Sequence, residues 1–127
     1  MEPDMFEALA VALGGALGSL GRWQLGVFFK QWIPGMPAGT FAANVVAGLI
    51  IGFVTGLDLA SPLQPQVKLF LAVGLCGGLS TFSTFSNETF SFIQAGNWVG
   101  AGCNIAVNVV TCLLAVFVGL KLAAAVA

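Results

Sequence analysis

The segment Gly77-Gly78-Leu79-Ser80-Thr81-Phe82-Ser83-Thr84-Phe85-Ser86-Asn87-Glu88 sets paired glycines, five hydroxyls in seven positions, an amide and a carboxylate inside a long apolar stretch. Polar groups at membrane depth are costly and normally face a cavity, another helix or an ion. Phe82 and Phe85 interrupt the polar run three residues apart, so on a helix they point the same way, one turn apart. The chemistry on offer is donation. Hydroxyls, amide N–H groups and a guanidinium can replace the water shell of a small anion, weakly enough to let it leave. Phenyl ring edges are electropositive and add to this without a fixed charge that would trap the ion. Glu88 opposes such a use unless it is protonated, hydrogen-bonded to hydroxyls, or set away from the path.

Other segments carry matching polar stripes, since residues three and four apart share a helix face. Thr81, Thr84 and Glu88 make one stripe, and Ser80, Ser83 and Asn87 the adjacent one. Thr40, Asn44 and Gly48 align in an earlier segment; Asn104, Asn108 and Thr111/Cys112 align in a later one. The plainer reading is interhelical hydrogen bonding, at about 0.6 kcal/mol per bond on average. That reading accounts for any single Ser or Thr, but not for Gly-Gly, a Phe pair and an Asn together. Arg22 is the one cation deep in the first apolar segment, where snorkelling toward an interface is its ordinary use.

These groups need elements that hold them in a bilayer. The chain has 127 residues, 58% hydrophobic and 7% charged, with a mean hydropathy of +1.00. A soluble domain carries about 25% charged residues, so an integral membrane protein is expected, as one all-helical domain over residues 1–127. Four spans can be drawn near the roughly 20 residues a bilayer requires: about Phe6 to Phe29, Gly39 to Leu57, Lys68 to Ile93, and Trp98 to Ala124. Gly77-Gly78 is expected to break the third at mid-membrane. Carbonyls freed there, facing a two-fold axis, would build an oxygen cage for a hard cation. Pro34, Gly35 and Pro37 punctuate the first connection, and Pro62 and Pro65 the second. The short third, Gln94 to Asn97, forces a helical hairpin. Trp23, Trp32 and Trp98 fall near predicted ends, as interfacial aromatics do. Seventeen glycines suit closely packed membrane helices.

Charge and composition exclude several classes. Met1-Glu2-Pro3-Asp4 is acidic where a secretory signal would be basic, so the first span is expected to remain in the mature protein. Four basic residues give no basis for nucleic-acid binding. Without histidine the commonest general base and metal ligand is missing, and no nucleophile–base pair can be assembled, so no enzyme is expected. Cys76, Cys103 and Cys112 read as membrane-buried structural thiols. Lys68 and Lys121 fall on one side, and Lys30, with Arg22 if it reaches that way, on the other. The positive-inside rule therefore has little to act on. A chain that inserts both ways would pair as an antiparallel dimer with its axis in the membrane plane. Such a pair could close a polar path that four helices alone cannot enclose.

With these pieces together, the chain resembles the fluoride-specific ion channel family Fluc (CrcB) over essentially its whole length. The resemblance is carried by Gly15-Ala16-Leu17-Gly18-Ser19-Leu20-Gly21-Arg22, by Gly39-Thr40-Phe41-Ala42-Ala43-Asn44, and above all by Gly74 to Glu88. It implies a dual-topology antiparallel homodimer in the bacterial inner membrane, with two pores that export cytoplasmic fluoride down its gradient. Phe82 and Phe85 match the ring-edge positions of the pores and Asn44 the pore asparagine. Thr40, Ser83 and Thr84 match hydroxyls along the route, and Asn108 and Cys112 fall where small polar residues are expected. Arg22 matches a vestibule arginine. The backbone carbonyls of Gly77 and Ser80 match those that hold a central structural sodium ion. The family often has a tyrosine in the fourth span; this chain has none, and Asn104 is expected to replace it. A small dual-topology multidrug exporter is the rival reading, but its coupling carboxylate sits midway along the first span, whereas Glu7 stands at the start. A non-transporting membrane anchor would explain the interhelical hydrogen bonds but not the Phe pair.

Overall fold

The computed structural model describes residues 4–127, so the acidic Met1-Glu2-Pro3 lies outside the described residues. The fold among them is all-helical. Helix α1 spans Met5–Trp32. Asp4 caps it: its carboxylate accepts the Glu7 N–H at 2.7 Å while Glu7 Oε2 accepts the Asp4 N–H at 3.3 Å. This reciprocal cap satisfies two otherwise orphaned donors. Glu7 is therefore a terminal capping group and not a mid-span carboxylate. Gly35, at φ 84°, turns the chain after α1, and α2 follows as Ala38–Ala60. Trp32 and Trp98 stand at helix ends, while Trp23 lies well inside α1 and is exposed.

The third span is interrupted, but not where the glycines suggested. Pro65 opens α3, Pro65–Lys68, at a position where its missing N–H costs nothing. A π-helical stretch, Leu69–Cys76, and a final helical turn, α4 at Gly77–Leu79, complete the first half. Gly77 and Gly78 are both helical. The break falls at Ser80 (φ −80°, ψ 152°) and Thr81 (φ −151°, ψ 116°), both extended. Helix α5, Phe82–Gln94, then begins, with Thr81 as its N-cap. Of the pair, Gly78 serves packing instead. A Cβ on Gly78 would lie 2.6 Å from the Gly15 carbonyl oxygen, and one on Gly18 would lie 2.3 Å from that of Leu75. Gly14 and Gly18 of α1 thus lock against Gly74 and Gly78, a close small-residue crossing of the kind that joins membrane helices. Helix α6, Trp98–Val126, packs along α2 in the same manner, and a Cβ on Gly52 would lie 2.3 Å from the Val116 carbonyl oxygen.

By length and composition α2, α6 and the combined segment Pro65–Gln94 can cross a membrane. Helix α1, at 28 residues, is long enough but falls outside that set. The interior is built from small side chains, with Ala43, Ala47, Cys76 and Leu79 buried together. Large apolar residues such as Leu17, Leu20, Leu113 and Phe117 lie outside. This is the distribution a lipid solvent favours, since association without a hydrophobic drive relies on close backbone approach. Lys68 pairs with Asp58 at 2.8 Å, and Asp58 also accepts the Leu63 N–H at 2.9 Å, closing the second connection. Of the thiols, Cys76 is buried and Cys112 partly so, but Cys103 is exposed on the outer surface.

Candidate functional site

The break in the third span is where the polar side chains converge. In a continuous helix the Thr81 N–H would reach the Gly77 carbonyl four residues back. It donates instead to Asn44 Oδ1 on α2, at 2.9 Å. The Gly78 carbonyl, likewise released, accepts Arg22 Nε at 3.2 Å. Arg22 therefore does not snorkel away. It sits at the carboxyl end of a half-helix, where a cation complements the exposed carbonyls. Ser80 turns its hydroxyl back onto the Cys76 carbonyl at 2.8 Å, which also accepts the Ser80 N–H at 2.9 Å.

Around this break lies an open groove of about 470 Å³ between α2, the broken span and α6. Asn44, Phe82, Phe85 and Asn108 line it, together with Gly77, Ser80 and Cys112. Phe82 is 79% exposed and Phe85 only 9%, with ring centroids 5.6 Å apart and planes tilted by 54°. One ring is therefore anchored in the protein while its neighbour projects freely from the same wall. The Asn44 oxygen is engaged by Thr81, which leaves its amide N–H groups as the remaining polar donors of that side chain.

Other expected site residues fall elsewhere. Thr40 donates to Glu88 Oε2 at 3.1 Å, and Glu88 borders a second hollow of about 380 Å³ beside Gly35, Met36 and Pro37. Glu88 Oε1 is buried without a partner among the described residues. Glu88 is thus set away from the groove. Ser83 and Thr84 cluster on the Thr81 hydroxyl, at 3.2 Å each, around the start of α5. Asn108 lines the groove, yet its Nδ2 donates to the carbonyl and side-chain oxygens of Asn104, at 2.8 and 3.1 Å. The sequence reading missed Thr89, buried on α5, whose hydroxyl donates to the Phe85 carbonyl at 2.8 Å and accepts Asn104 Nδ2 at 2.9 Å. The Phe85-to-Thr89 spacing of one helical turn was the available signal.

Among the described residues no group of His, Cys, Asp and Glu side chains could hold a metal ion. Oxygen ligands here would come from backbone carbonyls, hydroxyls or amides. The Gly77 carbonyl lies in the last turn before the break and that of Ser80 within it, and a Cβ on Gly77 would meet nothing within 4 Å. The side of the Gly77 backbone that a side chain would occupy is therefore open.

Comparison with known proteins gives a consistent result. A family model described as "CrcB-like protein, Camphor Resistance (CrcB)" matches residues 9–120. A fluoride-specific ion channel FluC of Shewanella sediminis is 41% identical over 119 residues, 93% of this chain and 96% of its own. Proteins of the same name from Paraburkholderia xenovorans and Escherichia coli are 47% and 45% identical, covering 88% and 87% of this chain and 90% and 88% of theirs.

Proposed function

The chain belongs to the CrcB family, as a multi-pass protein of the bacterial membrane, and on that premise we propose that it is a fluoride-selective channel releasing cytoplasmic fluoride passively. The observation that carries the proposal is the meeting of Phe82, Phe85 and Asn44 on one groove at the break in the third span. A dehydrated fluoride ion moving along that groove meets phenyl edges and the Asn44 N–H groups, donors that bear no full charge. Residues tied up elsewhere, such as Ser83 and Thr84, would enter the path by rotating their hydroxyls. Arg22, held at Gly78, draws anions toward the route without standing in it.

The groove is open to one side, and a pore needs a second wall. A second copy inserted the opposite way supplies it, and a two-fold axis in the membrane plane then generates two identical paths. The scarcity of Lys and Arg on either side is what permits both orientations. At such an axis the Gly77 and Ser80 carbonyls of both copies would bind a sodium ion. The fit rests on the Gly77 carbonyl having lost its helical donor and on the open space beside it. The ion would supply a fixed positive charge that joins the two broken helices; the chain's own part is to hold those carbonyls outward.

The test is fluoride efflux from liposomes holding the purified protein, with an ionophore to relieve the membrane potential. Rapid fluoride loss with little chloride loss is expected. Efflux no faster than from protein-free liposomes overturns the proposal.

A further inference from the structure

Helix α5 carries both ring residues, yet few neighbours support it. It follows a break, and it packs on α6 and only marginally on α2. Three side-chain hydrogen bonds tie it to its neighbours. Asn44 holds the Thr81 N–H just before its first turn, and Thr40 meets Glu88 further on. The third tie is a relay. Asn108 Nδ2 donates to Asn104 Oδ1, Asn104 Nδ2 donates to the Thr89 hydroxyl, and that hydroxyl donates to the carbonyl of Phe85. Thr89 is 7% exposed and Asn108 is 6% exposed.

The direction of every proton in this relay is fixed. The Phe85 and Asn104 carbonyls can only accept, so the Thr89 hydroxyl and the Asn108 amide must donate to them. The Thr89 oxygen then has to accept, and it takes the Asn104 N–H. A threonine bonding back onto the carbonyl one turn earlier competes with the helix and tends to bend it. Here the turn tied in this way is the one that bears Phe85. The relay thus ties the backbone of a groove-lining ring to the helix on the far side of that groove, and fixes Asn108 from the same chain of bonds.

We propose that Thr89 and Asn104 are positioning residues for anion selectivity: they touch no ion, but set the distance between the Phe85 ring and α6. This rests on the fluoride-channel reading above. In a narrow path a small misplacement alters the donor geometry more for a small dehydrated ion than for a larger one. Loss of the tie therefore lowers the fluoride-to-chloride ratio and not just the throughput.

The test compares Thr89→Val, Asn104→Leu, their double variant and Thr89→Ser, each purified and reconstituted in liposomes. Thr89→Val keeps the shape and removes the hydroxyl. Both single variants should lower the fluoride-to-chloride flux ratio by about threefold, the equivalent of one average membrane hydrogen bond. The double variant should be no worse than either single one, because the relay is already broken. Thr89→Ser should restore the ratio. An unchanged ratio in the single variants, additive losses in the double, or no rescue by serine overturns the proposal. If Thr89→Val yields no protein, Asn104→Leu tests the same tie from α6. Backbone hydrogen exchange over Phe85 to Thr89 separates the two claims. Faster exchange in Thr89→Val supports the tie even if the unaltered protein passes no fluoride; unchanged exchange overturns the tie even if it does.

Discussion

Asn44 Oδ1 accepts the backbone N–H of Thr81 at 2.9 Å, so a side chain on α2 completes a hydrogen bond that the broken third span cannot make for itself. One residue thereby stabilises the break and faces the groove that the break creates. Its oxygen serves the fold, and in the channel proposed above its N–H groups would serve an anion.

Separate substitutions should pull those tasks apart. Asn44→Asp keeps the acceptor for Thr81 but replaces the donors with negative charge. It should assemble normally and lose fluoride efflux. Asn44→Ala also leaves the Thr81 N–H without its partner, which costs about 1–3 kcal/mol when such a group is buried. It should melt earlier in detergent than Asn44→Asp. Equal melting temperatures would mean that the Thr81 bond does not support the break.

Phe82 and Phe85 differ in burial, and their substitutions should differ accordingly. Phe82→Leu removes a ring that is 79% exposed in the single chain; stability should change little while fluoride efflux falls. Phe85→Leu should reduce both, because that ring is anchored among α5 and its neighbours. Flux assays paired with thermal denaturation distinguish the two.

Gly77 offers a test of the partner subunit. A Cβ there meets nothing within 4 Å inside the chain, so the first carbon of the side chain in Gly77→Val meets no clash in a single copy. If this backbone lies at a two-fold axis, the variant should run as a monomer where the unaltered protein crosslinks as a dimer. Ser80→Ala should remain dimeric, because only the backbone carbonyl is required and its hydroxyl merely bonds Cys76.

The small-residue crossing of α1 predicts a sharp contrast between two glycines. Gly18→Leu places carbon 2.3 Å from the Leu75 carbonyl oxygen, backbone that cannot move aside, and should abolish recovery of folded protein. Gly102→Ala, on α6 with nothing within 4 Å, should be neutral or stabilise by about 0.5–1 kcal/mol through reduced backbone freedom. Recovery and melting temperature in detergent measure both.

What the sequence determined by itself was chemical class and medium. Low charge, high hydropathy and long apolar stretches dictate membrane helices, because lipid admits few alternatives for the backbone. The crowding of Ser, Thr, Asn and Phe between Ser80 and Asn87 marks a polar locus, because nothing else repays their desolvation. Only the tertiary structure decided where the chain breaks. Helical glycines and helix-breaking glycines look alike in a string of letters, and Gly78 proves to be helical and packed against Gly15. The acceptor that makes extended backbone tolerable at Ser80 and Thr81 comes from Asn44, 37 positions earlier. The same reason hid the Thr89 relay and moved Thr40 to Glu88. A hydroxyl's partner depends on which helix is packed beside it, and periodicity within one helix carries no information about that neighbour.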